Sequence, residues 1–227
     1  MEAFVLNAPD TWDYGLKKVI AQVGIQGALR VSEMCPLTFE HVTMLPNGTV
    51  SVTIKSSKTD LAGRGHSFII TANANPRIGC VTRLRQYWSL FPNRSGRFFR
   101  KISAHGKPTC QPVGINTMGK IPRFIASYLK LSNVDAFSGH SFRRTSATLL
   151  SEQGVSLVEL KQHGRWKSST VAERYVNNTD VAKKKASNLL QNVSNCELRA
   201  TSSHTSSTHT FENCNFASCS VNIVYKD

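Results

Sequence analysis

The chain has 227 residues and a mass of 25.1 kDa, enough for a domain with a sizeable buried core. Lys and Arg number 28 against 14 Asp and Glu, so the net charge is +14, and a polyanionic partner is expected: nucleic acid first, an anionic surface second. A hydrophobic fraction of 40% with 11 Phe excludes a disordered basic tail, and no apolar run approaches the ~20 residues of a membrane span.

The first 45 residues read as helical, with Trp12, Leu16, Val19, Ile20 and Val23 recurring at helical spacing until Gly24 and Gly27 interrupt them. Asn47-Gly48 is a hairpin signal between apolar stretches at 41–44 and 49–54, and 66–71 supplies a third strand beyond a polar loop. Helical patterns then resume. Val81, Leu84, Trp88 and Phe91 share one face, and so do Ile115, Met118, Ile121, Ile125, Tyr128 and Leu129, where Pro122 is expected to start or kink the helix. Residues 140–153 form a helix closed by Gly154, and 156–162 a short one with Ser156 as N-cap and Glu159 three residues on. Ser168 or Ser169 caps the next helix, which runs through Tyr175, and residues 180–191 form the last. The expected fold class is mainly α with one small antiparallel β-sheet, an α+β arrangement.

Composition shifts near residue 192. The segment 193–227 is rich in Ser, Thr and Asn and is read as a flexible tail, although its residues 220–225 (SVNIVY) have strand character. The tail holds two basic and three acidic residues, so the body before it keeps 26 basic against 11 acidic, or +15. The N-terminus has no basic start followed by an apolar stretch, so no signal peptide is expected and the location is intracellular. The six Cys form no CxxC pair and read as reduced thiols; no metal site is expected, and His204, His209, Cys214 and Cys219 are read as chance members of the tail.

There is no phosphate-cradling GxxxxGK[ST], no GxGxxG, no HExxH and no GxSxG, and clustered carboxylates for two-metal chemistry are not evident. The conspicuous residues are basic or aromatic. His140 and Arg143 stand three apart on one helical face, where a guanidinium fork can clamp phosphate oxygens and an imidazole can move a proton. Arg30 follows a Gly-containing break, with Glu33 one turn on to orient it. Lys58, in SSKTD, sits where a hairpin tip can reach a groove or a leaving oxygen. Trp166 offers an indole donor and Tyr175 a hydroxyl that can attack an activated phosphate. Singly, each has an ordinary reading as a solvated helix face, a surface ion pair, a turn lysine, a core tryptophan or a half-buried tyrosine.

Their order, Arg30, Lys58, His140-x-x-Arg143, Trp166, Tyr175, resembles the catalytic domain of the tyrosine recombinases, the phage integrase family. The block SGHSFRRTSATLLSEQGVSLVELKQHGRWKSSTVAERYV (138–176) is the most specific; GALRVSEMCPLTFEHV (27–42) is similar to the family's first Arg motif, and SSKTD matches its hairpin lysine. The resemblance spans roughly residues 10–192. Trp166 in place of the more usual second His resembles the Cre-type branch, and GRWKSST…Y resembles recombinases of eukaryotic mobile elements.

The resemblance implies the tyrosine recombinase catalytic-domain fold over 1–192, with the family's N-terminal DNA clamp absent. It implies that Arg30 and Arg143 bind the scissile phosphate, Tyr175 attacks it, Lys58 protonates the leaving 5′ oxygen, His140 assists, Trp166 hydrogen-bonds the phosphate and Glu33 supports the site from behind. No cofactor is implied. Arg144, Arg165 and Lys167 are expected to contact DNA. The expected partner is double-stranded DNA, with a homo-oligomer, a tetramer, forming on it through the C-terminal helix and with no membrane involvement; in a eukaryote the location is the nucleus. The rival readings are a recombinase-derived binding module without recombination and a relaxing activity of the type IB topoisomerase kind.

Overall fold

The computed structural model describes residues 1–55, 65–176, 183–184 and 187–191. Two compact units divide the chain, residues Met1–Ala186 and Ser187–Asp227. In the second, 187–191 is helical and exposed.

The first unit is mainly helical. Its elements in chain order are α1 (Glu2–Asn7), α2 (Trp12–Gln26), α3 (Val31–Met34), β1 (Val42–Met44), β2 (Val50–Ile54), β3 (His66–Ile70), α4 (Cys80–Ser89), β4 (Arg100–Ile102), β5 (Pro108–Pro112), α5 (Ile115–Tyr128), α6 (Ser141–Glu152), α7 (Leu157–Gly164) and α8 (Ser169–Val176). Helix α2 is the axis of the core and packs against α4, α5 and α6. Its segment Val19–Gly24 is buried on every side, which explains why Gln22 donates to the Ile78 carbonyl and why the enclosed Lys18 ammonium donates to Ala8 O at 2.7 Å and to Asp10. Trp12, expected on the apolar face, is 45% exposed, because it lies in the first turn and its ring abuts Gly106 instead of the core.

The three-stranded sheet has the order β1-β2-β3, antiparallel throughout, with Val42 opposite Val52 and Val52 opposite Phe68. Strand β2 alternates as a one-sided sheet requires: Val50, Val52 and Ile54 are buried and Ser51 and Thr53 are not. The Asn47-Gly48 turn closes β1 onto β2, with Gly48 at φ 82° and the Asn47 side chain accepting from the Thr49 amide.

A second sheet, β4 paired antiparallel with β5, corrects the expectation of a single sheet. Its strands have little apolar alternation, and what fixes them is the packing of the preceding residues. Phe98 and Phe99 are buried among Phe39, Tyr87 and Phe91, and the enclosed Tyr87 hydroxyl donates to Phe98 O and accepts from the Arg100 amide, both at 2.8 Å. Pro122 does not start its helix: α5 runs from Ile115 through it to Tyr128, and Pro122 is buried with Ile121 and Ile125. Its missing N–H leaves the Met118 carbonyl without its usual helical donor.

Helices α6, α7 and α8 form a satellite core around Ala147, Leu160 and Ala172, with Trp166 and Tyr175 packed on it. Helix α6 stops where Gly154 adopts φ 76°. The Ser156–Glu159 capping box starts α7: the Glu159 amide donates to Ser156 Oγ, and the Ser156 amide to the Glu159 carboxylate.

Candidate functional site

The site lies where the α2–α3 turn meets α6 and the α7–α8 turn. Helix α2 ends with Ala28 in the left-handed conformation, φ 46°, and its Leu29 amide donates back to Gly24 O at 2.8 Å. Arg30 follows as the N-cap of α3. Glu33, at the third helical position, accepts the Arg30 amide at 2.9 Å and the Arg30 Nη1 at 2.7 Å, so the residue that begins the helix also fixes the guanidinium. Glu33 is enclosed. Burial pushes its carboxyl up, but the Arg30 amide, the charge of Arg165 and the Arg30 side chain outweigh that and hold it below the usual carboxylate range.

Arg143 enters from the buried face of α6 and is 5% exposed. Its Nη1 donates to Ala28 O at 2.9 Å, its Nη2 donates to Gly164 O, and its guanidinium lies 4.7 Å from the centre of the Trp166 ring. Burial, and then the nearby charges of Arg30 and Arg165, push its pKa down to about 10, against the pull of Glu33 and Tyr175. Tyr175 stacks on Trp166 ring on ring, with centroids 5.5 Å apart and planes 27° from parallel. Trp166 thus contacts both the buried cation and the phenol. Gly164 makes the space for it, since a Cβ there would overlap the indole.

The structure therefore gathers Arg30, Glu33, Arg143, Trp166 and Tyr175. His140 is exposed at the N-cap of α6, one turn before Arg143, and no hydrogen bond or ion pair ties it to the cluster among the described residues. Lys58 lies outside the described residues, in the connection between β2 and β3. Arg144 and Lys167 are exposed. Arg165, expected to reach DNA, instead turns inward: its Nη1 donates to Gly27 O at 3.0 Å and its Nη2 to Glu33 at 2.9 Å. Its backbone is left-handed, φ 53°, at the C-cap of α7.

Sequence reasoning missed two histidines. His163 approaches Ser146 Oγ at 3.1 Å through Nε2, and burial, then Arg165, His66 and Arg143, hold its pKa below the ordinary imidazole value. His66, at the start of β3, is held low by burial and by Arg165 against the pull of Glu33. The HGRW run places His163 beside the motif; the 66–71 strand is legible in the sequence, but that it brings His66 to the site is not. Of the cysteines, Cys35, Cys80 and Cys110 are free thiols, with burial pushing Cys80 up to about 12; Cys196, Cys214 and Cys219, together with His204 and His209, lie outside the described residues.

The site has an excess of fixed positive charge. Three guanidiniums face one carboxylate, and Arg30 and Arg143 still hold N–H donors beyond those accepted among the described residues. Such a cluster is built to take up an anion with several acceptor oxygens, beside an aromatic hydroxyl.

Residues 5–181 match the phage integrase family, and the chain belongs to it. It is similar to an integrase/recombinase xerD homolog of Selenomonas ruminantium, 25% identical over 177 residues, which are 77% of this chain and 51% of the relative. Its fold is similar to that of the XerH site-specific recombinase in a post-cleavage complex with palindromic difH substrate: TM-score 0.60, 16% identity, 84% of this chain and 51% of that one. It is also similar to the XerA recombinase: TM-score 0.56, 19% identity, 82% and 59%. The chain spans about half the length of these relatives.

Proposed function

We propose that this chain is the strand-cleaving and rejoining domain of a tyrosine recombinase acting on double-stranded DNA. The observation that carries the reading is the convergence of Arg30, Arg143, Trp166 and Tyr175 from separate elements on one cationic site. Family membership supports it.

In the proposed reaction Arg30 and Arg143 hold the non-bridging oxygens of the scissile phosphate and stabilise the charge of its pentacoordinate transition state. Tyr175 Oη forms a bond to phosphorus as the phosphorus–O5′ bond breaks. The tyrosine proton is lost to a neighbouring base or water, with His140 assisting, and Lys58 delivers a proton to O5′. The products are a 3′-phosphotyrosyl link and a free 5′-hydroxyl. Attack by a 5′-hydroxyl reverses the steps and rejoins the strand, so the ester bond is conserved in the protein–DNA link and no metal or nucleotide is needed. Glu33 holds Arg30, and Trp166 holds both Arg143 and Tyr175 in place. Arg144 and Lys167 contact the DNA backbone from exposed positions.

The presence of Trp166 in GRWKSST supports a finer kinship with the Cre-type branch and with eukaryotic mobile-element recombinases, acting in the nucleus. Assembly into a tetramer on DNA through the helix around 180–191, and a division between a catalytic body over 1–192 and a tail over 193–227, belong to the same proposal.

The test uses duplexes nicked near a randomised site, so that cleavage releases a short fragment and traps the adduct. The full chain is expected to give a covalent protein–DNA band on a denaturing gel in the presence of chelator, and Tyr175→Phe none. An adduct formed by Tyr175→Phe, or none formed by the full chain, would overturn the proposal. Relaxation of supercoiled plasmid without crossed products would assign the chain to the topoisomerase-like reading instead.

A further inference from the structure

Arg165 occupies a position from which it can govern chemistry without touching DNA. The Glu33 carboxylate is shared: Oε1 takes Arg30 Nη1 at 2.7 Å, while Oε2 takes the Arg30 amide and Arg165 Nη2, each at 2.9 Å. The other arm of Arg165 reaches Gly27 O at 3.0 Å, next to the Ala28 carbonyl that holds Arg143. The Arg165 side chain is 10% exposed and that of Glu33 3%. Trp166 follows Arg165 directly, and Tyr175 lies nine residues beyond Trp166 in the helix that the same turn launches.

We propose that Arg165 is a positioning residue for strand cleavage: through its ion pair with Glu33 it sets the orientation of Arg30, and so ties the phosphate clamp to the segment that carries Trp166 and Tyr175. The inference rests on the cleavage chemistry proposed above. Arg30 takes both Glu33 oxygens, through Nη1 and its amide; Arg165 adds a third donor at Oε2 and couples the carboxylate to the turn that carries Trp166. A lysine cannot substitute in full, because one ammonium does not span the carboxylate and the Gly27 carbonyl as a planar fork does. Direct phosphate binding by Arg165 is disfavoured by its enclosure and by the three acceptors it already serves, Glu33 and the Gly27 and Ala28 carbonyls.

The experiment compares the full chain with Arg165→Ala, Arg165→Lys and Glu33→Gln in single-turnover cleavage at saturating protein, alongside DNA affinity across a salt series. Arg165→Ala is expected to slow adduct formation about 10²-fold, as a misplaced catalytic group does, while leaving Kd within about twofold and the salt slope unchanged. Arg165→Lys recovers only part of the rate. The double variant Arg165→Ala with Glu33→Gln is no slower than the slower single, because both act on Arg30. Wild-type rates in Arg165→Ala, additive losses in the double variant, or a reduced salt slope would each overturn the inference. If Arg165→Ala does not fold, the same comparison is made with Arg165→Lys, whose full wild-type rate would overturn it.

A readout without cleavage separates this inference from the proposed function. Inorganic phosphate is expected to raise the Tm of the full chain, and Arg165→Ala to lose as much of that rise as Arg30→Ala. An undiminished rise in Arg165→Ala would overturn the positioning role even in a chain that cleaves, whereas a wild-type chain with the phosphate response but no adduct overturns the cleavage reading alone.

Discussion

At the scale of single residues, charge that is buried but incompletely matched governs what the site can do. Arg143 is enclosed, close to two other guanidiniums, and its pKa has fallen to about 10. In the proposed reaction, a phosphate drawn between Arg30 and Arg143 would relieve that repulsion most fully when its own charge is greatest, in the transition state. Arg143→Ala is therefore expected to lose about 3 kcal/mol of transition-state stabilisation, a rate loss of two to three orders of magnitude, read from adduct formation over time. His163 sets a pH dependence of stability. Its folded-state pKa is depressed by burial and by Arg165, His66 and Arg143, so between that value and about 6.5 the unfolded chain binds a proton that the folded chain refuses. The contribution is complete above about pH 6.5 and is lost as pH falls below it. Chemical denaturation from pH 7.5 to 5 is expected to show this decline, and His163→Asn to flatten it.

At the scale of elements, what was legible in the sequence depended on whether local pattern or distant packing fixed the structure. The Asn47-Gly48 hairpin, the Ser156–Glu159 box and the Gly154 stop are local, and they appear where the residues announce them. Strands β4 and β5 are held by Phe98 and Phe99 in the core and by the Tyr87 hydroxyl, and nothing in RKI or PTCQP reveals this. The same divide runs through the site. The spacing from His140 to Tyr175 identifies α6 and the α7–α8 turn, but that Arg165 points inward from a left-handed C-cap is something no composition rule gives. Two substitutions test these supports. Tyr87→Phe strands the Arg100 amide in a buried setting and is expected to cost about 1–3 kcal/mol in urea unfolding. Gly164→Ala forces the indole aside, and is expected to shift Trp166 fluorescence and slow cleavage while leaving the far-UV dichroism of the helices unchanged.

At the scale of the whole molecule, the +15 body makes long-range attraction to a polyanion unavoidable. Each phosphate neutralised on a duplex steepens the log–log salt dependence of binding by about 0.9, so a steep slope with weak sequence preference is expected from titrations between 50 and 200 mM salt. The affinity is expected to survive removal of residues 180–227, whereas native-gel complexes larger than one protein per DNA are not.

The contacts that assemble the site join residues far apart along the chain: Ala28 to Arg143 across 115 positions, and Gly27 to Arg165 across 138. The first needs α6 and the second the α7–α8 turn, so the Gly27–Arg165 contact waits for nearly the whole first unit, and closing such long loops is entropically costly. Lys and Arg are spread along the chain from Lys17 onward, so on the proposed function a partly opened chain is expected to hold DNA before it can cut it. On the proposed function, cleavage is confined to molecules that have finished folding, and the regain of adduct formation during refolding is expected to lag behind the regain of helix.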